Sequence, residues 1–268
     1  MTGFIFGLIG YGVFLTAFLY LIGFVGNFIV PKSIDSGPVI PFNVAILVNA
    51  ALLALFAVQH SAMARPAFKR WWAKIVPPSV ERSAYVMLSS SVLLILFWKW
   101  QAMTEVIWTV ENQFGRFILQ ACFWLGWLMV AGSTFMISHL DLFGLRQVYL
   151  RIRNIEYLPI PFRMTAFYRY VRHPSMLGFL IAFWASPLMT IGHLFFSIFM
   201  TGYIFIGIYL EERDSLNLNG DVFDQYRQEV PMIVPFFCRV MRLRPVNSDA
   251  APSGPVSQEV QRPPPGRC

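Results

Sequence analysis

The chain has 268 residues, of which 56% are hydrophobic, 16% aromatic and only 13% charged. An average soluble domain carries roughly a quarter charged residues, so this composition argues against the soluble globular class and for a membrane protein. The formal charge of +7 suits a membrane protein whose Lys and Arg mark cytosolic loops better than a nucleic-acid binder. Three scattered cysteines, Cys122, Cys238 and Cys268, suggest neither a disulfide framework nor a zinc site.

In chain order, apolar stretches cover 3–30, 42–64, 83–103, 117–138, 175–191 and 194–210. A bilayer core of about 30 Å takes roughly 20 residues of helix to cross, so a single signal peptide does not explain them. The first stretch also lacks a cationic n-region and a small-residue cleavage site. The pattern predicts an all-α integral membrane fold. It has four full transmembrane helices plus a closing helical hairpin, with a cytosolic carboxyl-terminal cap. The hairpin arms are short, about 17 residues each against the roughly 20 of a full span. Pro187, Gly192 and His193 punctuate the bend between them, which puts its tip in the outer half of the membrane.

Basic residues alternate between connections. Arg65, Lys69, Arg70, Lys74 and Arg82 fall in the 65–82 connection, and Arg146, Arg151, Arg153, Arg163, Arg169 and Arg172 in 139–174. The other two connections hold Lys32 alone, and Lys99 with Arg116. The bias of Lys and Arg toward the cytosol places the first pair of connections inside, together with both termini. Residues 211–244 mix charge with aromatics and are expected to form a folded cap. From Pro245 the chain turns to Pro, Ser, Gln and Ala, too little apolar surface to offset ordering entropy. Residues 1–244 therefore read as one membrane domain and 245–268 as a disordered tail. No internal repeat supports a transporter of duplicated halves.

Four polar clusters interrupt the pattern: Gln59-His60-Ser61, Ser138-His139-Leu140-Asp141, Arg172-His173-Pro174 and Glu211-Glu212-Arg213-Asp214. All four fall at cytosolic ends of expected spans. Ionisable groups are costly there, so their convergence is a functional-site signal, although each alone also suits a helix end meeting lipid phosphates. His193, at the outer bend, reads as structural. His60, His139 and His173 also allow a haem or metal site, but their spacing fits no compact ligand pattern.

Pro174 suits a first helical turn, so an anion can meet Arg172, His173 and the free N–H groups of that helix start. Glu211 and Glu212 offer acceptors to an ammonium group. A zwitterion held between these ends is the natural ligand, and S-adenosylmethionine is one of several amino-acid-like molecules that fit. If the acceptor is a thiol, it needs a base or a field favouring its anion. His139 and His60 are candidates for that base, with Asp141 to orient one ring and Arg82 or Arg146 to stabilise thiolate. Asp141 pairing with Arg146 is the structural alternative.

The segment Arg-His-Pro-Ser-Met-Leu-Gly at 172–178, the hairpin, Glu-Glu-Arg-Asp at 211–214, Gly220, Tyr226-Arg227 and Val230-Pro231 resemble the integral membrane methyltransferases. That group is related to isoprenylcysteine carboxyl methyltransferase and the NnrU-like proteins. The segments at 31–35, 59–61, 81–83 and 141–148 are similar to a narrower branch, the methanethiol S-methyltransferases. Met176 and Phe223 stand where members of the group commonly have Tyr. The resemblance implies an S-adenosylmethionine cofactor module at about 165–236, held by Arg172, His173, Glu211 and Glu212. It implies methanethiol as the acceptor, dimethyl sulfide as the product, and a multi-pass protein of the bacterial inner membrane with its site toward the cytosol. Composition and charge make lipid the expected surrounding partner, with no nucleic acid, and the His spacing leads to no metal being expected. A prenylcysteine carboxylate or a lipid amine is the rival acceptor. A non-enzymatic haem-linked or transport protein is the reading of a different class.

Overall fold

The structure, a computed structural model, describes residues 2–158 and 166–234. Its elements in order begin with α1 (Thr2–Gly26), α2 (Phe42–Ala64), α3 (Pro66–Trp72), α4 (Pro78–Lys99), β1 (Val106–Thr109) and α5 (Gln113–Ile137). The short α6 (His139–Leu142) and α7 (Leu145–Ile152) follow, then a 3-10 turn at Ala166–Arg169, α8 (Pro174–Trp184), β2 (Leu188–Thr190) and α9 (Ile191–Glu229). Local chemistry sets several starts. Proline occupies the first turn of α3, α4 and α8, where its missing N–H would have no helical partner. The Asn112 side chain caps α5 by accepting the Gly115 N–H at 3.0 Å. Proline initiation, with Glu81 near the positive end of the helix dipole, starts α4 at Pro78, ahead of the stretch expected from 83.

α1, α2, α4, α5 and the first 27 residues of α9 are long and apolar enough to cross a membrane. Large apolar side chains such as Ile9, Leu47, Leu55, Phe117, Leu128 and Ile206 lie on the outside of the bundle, the face that meets hydrocarbon. This is a multi-pass, all-α membrane protein. The closing hairpin is less symmetrical than the sequence suggests. Its entering arm, α8, has 11 helical residues and passes through a tight turn, Ser186 N donating to Trp184 O, into β2. Its returning arm does not stop at Glu211 but runs on to Glu229, broken at Gly220, whose φ of 49° and ψ of −126° are not helical. Charge ends an apolar stretch without ending a helix, because Glu and Arg are good helix formers. The expected tail at 245–268 and Arg163 lie outside the described residues.

Hydrogen bonds sort the connections to two ends of the bundle. At one end β1 pairs antiparallel with β2, Thr190 donates to Asp35, Lys32 Nζ donates to Trp98 O at 2.7 Å, and Asn49 exchanges two bonds with the Gln101 backbone. This end gathers 27–41, 100–112 and 185–192, so the hairpin bend reaches the level of the connection preceding α5. At the other end Arg82 Nε donates to Leu142 O at 2.7 Å, Ser83 meets Gly144, and Arg65 pairs with Asp214 at 3.0 Å. All four polar clusters lie toward this second end. Toward the first end, Phe24, Phe97, Trp100, Phe183 and Phe196 form a buried aromatic core. α5 crosses α8 at Gly126 and Gly178, each of whose Cβ positions is 2.6 Å from the other's carbonyl oxygen. Backbones approach this closely where side chains are absent.

Candidate active site

Arg172 and His173 reach Glu212 across 39 or 40 residues of sequence. The chain before α8 is held in place by backbone bonds from Arg172 N to Pro231 O and from His173 N to Met232 O. Arg172 Nε then donates to Glu212 Oε1 at 2.8 Å, and one Nη donates to the carbonyls of Arg227 and Val230. His173 Nε2 lies 3.0 Å from the same carboxylate oxygen. An ionised carboxylate only accepts, so Nε2 carries the proton. Glu212 is therefore an internal counter-ion, with 13% of its side chain exposed. Glu211 differs, with 57% exposed and only His173 Nδ1 near it, at 3.9 Å.

Two tyrosines complete this cluster. Tyr226 donates to Tyr168 O at 2.7 Å. The Tyr168 phenol is pushed up to about 12, by burial first and by the Glu211 carboxylate second. It stays a neutral hydroxyl beside Glu211. Burial also raises Tyr226, opposed by Arg172. The two positions that depart from the family's tyrosines are filled by packing: Phe223 is buried against Tyr226, Val230 and Leu216, and Met176 joins the main core.

His139 stands in a separate aromatic cage of α1, α5 and α6. Its ring stacks on Phe135 at 4.3 Å and meets Tyr11 and Phe143 edgewise. Thr134 donates its one hydroxyl proton to Ala131 O, so Thr134 Oγ1, 2.8 Å from His139 Nδ1, accepts the Nδ1 proton. His139 Nε2 then accepts from Tyr11, at 2.9 Å. Both nitrogens of a neutral imidazole are used. Burial holds this imidazole below its ordinary value, so it resists the proton that an unfolded chain takes up below about 6.5. The unfolded state then binds more protons, and stability falls as pH drops through that value. His139→Gln is expected to flatten the decline of the melting midpoint between about pH 7.5 and 5.5. Parallel declines of variant and wild type in detergent would remove His139 as a cause.

Asp141 does not orient His139. Its carboxylate accepts from Arg146 at 3.0 Å and from Tyr157 at 3.2 Å, and Gln147 binds its carbonyl at 3.1 Å. Arg146 also donates to Leu158 O. Asp141 and Arg146 thus tie α6 to α7 and the chain beyond it, as in the structural alternative. The ion pair is the stronger claim on a carboxylate.

His60 has a different setting. Tyr85 of α4 places its hydroxyl 3.0 Å from Nε2 and 3.2 Å from Nδ1. Phe56 and Tyr203 supply ring contacts, and Ser61 donates to the Tyr203 hydroxyl at 3.2 Å. Arg82 links the two histidine regions. Its guanidinium lies 5.3 Å over the Tyr85 ring, while its Nε holds α6 at Leu142. Tyr85 and Tyr203 escaped the sequence reading because lone tyrosines in apolar helices usually pack. Their spacing was the available signal: Tyr85 lies one turn from Arg82 and Tyr203 two turns from Glu211. Among the described residues no group of three or more His, Cys, Asp or Glu is arranged to hold a metal.

No family model matches the chain, and no solved structure matches it. Curated relatives do. Over 232 residues the chain is 54% identical to methanethiol S-methyltransferase of Mycobacterium tuberculosis, covering 87% of this chain and 95% of the relative. The chain belongs to the methanethiol S-methyltransferase family. It is also 49% identical over 231 residues to methanethiol S-methyltransferase 2 of Bradyrhizobium diazoefficiens, covering 86% of this chain and 89% of that one. With the Crocosphaera subtropica methanethiol S-methyltransferase it shares 45% over 232 residues, 87% of this chain and 91% of that relative. A methyltransferase of this family needs a methyl donor.

Proposed function

We propose that the protein transfers a methyl group from S-adenosylmethionine to methanethiol, releasing dimethyl sulfide, at the cytosolic face of a bacterial inner membrane. The observation that carries the reading is the half-exposed Glu211 carboxylate beside a closed Arg172–Glu212–His173 cluster, in a chain 54% identical to a methanethiol S-methyltransferase. The cluster suits a zwitterion. Glu211 is an open acceptor for an α-ammonium, and Arg172, His173 and the start of α8 form the cationic side for an α-carboxylate. Glu212 keeps the two side chains in place. Bound there, the donor supplies an electrophilic methyl on a sulfonium. What the chain adds is orientation and exclusion of water. The cytosolic assignment rests on the basic residues Arg65, Lys69, Arg70, Lys74, Arg146, Arg151 and Arg153 near the site end. Residues 1–244 act as one membrane domain with a cofactor module at about 165–236.

Purified protein given S-adenosylmethionine and methanethiol is expected to release dimethyl sulfide, detected in the gas phase. A panel with a prenylcysteine and a lipid amine separates the acceptors. Methylation of either of these without dimethyl sulfide would overturn the thiol reading and keep the methyltransferase.

A further inference from the structure

Hydrogen-bond arithmetic separates the two candidate bases. His139 has a distinct partner on each nitrogen. His60 has one hydroxyl, that of Tyr85, shared between nitrogens on either side of Cε1. One hydroxyl cannot satisfy both with good geometry; with Tyr85 accepting the proton of one ring nitrogen, the other keeps its lone pair for a further proton. The surroundings of His60 also connect to the cofactor cluster. Tyr203, Gly207 and Glu211 follow at i, i+4 and i+8 along α9, one stripe drifting slowly round the helix. Eight residues span about 12 Å of axis. Gly207, midway, is partly buried, yet no atom lies within 4 Å of the place its Cβ would take. Open space thus adjoins α9 at Gly207, between Glu211 and the His60 niche.

We infer that the thiol acceptor is received among His60, Tyr85 and Tyr203, that the donor's amino-acid arm lies along Gly207 from Glu211, and that His60 takes the thiol proton. This rests on the methyl-transfer reading above. The thiol S–H bond breaks and its proton passes to the free His60 nitrogen. The sulfur's electron pair forms the new S–CH3 bond, and the electrons of the old C–S bond return to the donor's sulfonium, leaving a neutral thioether. Histidine then loses its proton to water. The groups facing His60 are Tyr85 and Arg82 from α4, and Tyr203 from α9 with Asp214 paired to Arg65. Arg82 supplies positive field for a developing thiolate. Tyr85 is a positioning residue that fixes the ring. Phe56 and Tyr203 give the niche aromatic walls, suited to a methyl-sized apolar thiol.

The test uses full-length protein in detergent. His60→Gln is expected to lower kcat about 100-fold near neutral pH, with S-adenosylhomocysteine affinity by calorimetry within about twofold of wild type. Its rate should climb with pH as solution supplies thiolate, where wild type levels off. Tyr85→Phe should lower kcat about tenfold and keep the wild-type shape of the pH profile. Gly207→Leu should weaken S-adenosylhomocysteine binding about tenfold or more by filling the space proposed for the donor's arm. Wild-type kcat and pH profile in His60→Gln, or undiminished binding in Gly207→Leu, would overturn the inference. If wild type itself makes no dimethyl sulfide while binding S-adenosylhomocysteine, the failure lies with the proposed function instead.

Discussion

Glu212→Ala is expected to destabilise the protein by about 3–5 kcal/mol, because removing one partner of a buried ion pair leaves the other uncompensated. Arg172 is the stranded charge, with 9% of its side chain exposed, and His173 Nε2 loses its acceptor at the same stroke. Both residues hold the start of α8 against Pro231 and Met232, so the damage should spread to the cofactor site. Glu211→Gln makes the contrast. That carboxylate is 57% exposed and 3.9 Å from the His173 imidazole, so its loss should leave the unfolding midpoint in place. It should still weaken S-adenosylhomocysteine binding about tenfold, as an ammonium loses a charged acceptor. Thermal unfolding in detergent and calorimetry read the two effects separately. An unfolding midpoint unchanged in Glu212→Ala, or lowered equally by Glu211→Gln, would show that the two carboxylates do not divide the work this way.

Gly126→Leu is expected to be as damaging from a distance. A Cβ there would stand 2.6 Å from Gly178 O and 2.8 Å from Ala182 N, and backbone on both sides cannot turn away as a side chain can. Separating α5 from α8 should cost about 3 kcal/mol or more. It should also move Arg172 and His173, which sit at the α8 start, so cofactor binding falls with stability. Gly12→Leu is the matched control, since nothing lies within 4 Å of its Cβ position and leucine is the better helix former. Folded yield and melting midpoint of the two variants decide the matter. A Gly126→Leu protein that melts with wild type would mean that the helices can slide past each other at little cost.

Hydrophobic stretches were enough to locate the spans, because in lipid a helix satisfies every backbone group internally. They were poor guides to where helices end. α9 runs through Glu211 and Glu212 on helix propensity, and α8 ends at Trp184 because the following chain is taken up by pairing with β1. Lys and Arg alternation anticipated which connections share an end. The ion cluster was legible as Arg-His-Pro and Glu-Glu, but the unequal burial of Glu211 and Glu212 was not, since neighbours in a helix point about 100° apart and only the packing of α8 decides which one faces inward. Asp141 near His139 in sequence suggested a pair. Arg146, five residues on, has the stronger electrostatic attraction. His60 and His139 looked equivalent because competition for ring nitrogens by Tyr11, Thr134 and Tyr85 is a property of tertiary contacts.

Tyr203, Gly207, Glu211, Glu212 and Asp214 all belong to a helix that runs without interruption from Ile191 until Gly220. A single stiff rod therefore fixes their axial spacing, with no loop between them to lengthen or relax. Bilayers differ in thickness, and a spanning helix answers mainly by tilting. Tilt of α9 carries the whole set together, along with Arg65 and Arg172, which are bonded to it. The axial spacing between Tyr203 and Glu211 is then kept whatever the thickness of the surrounding lipid.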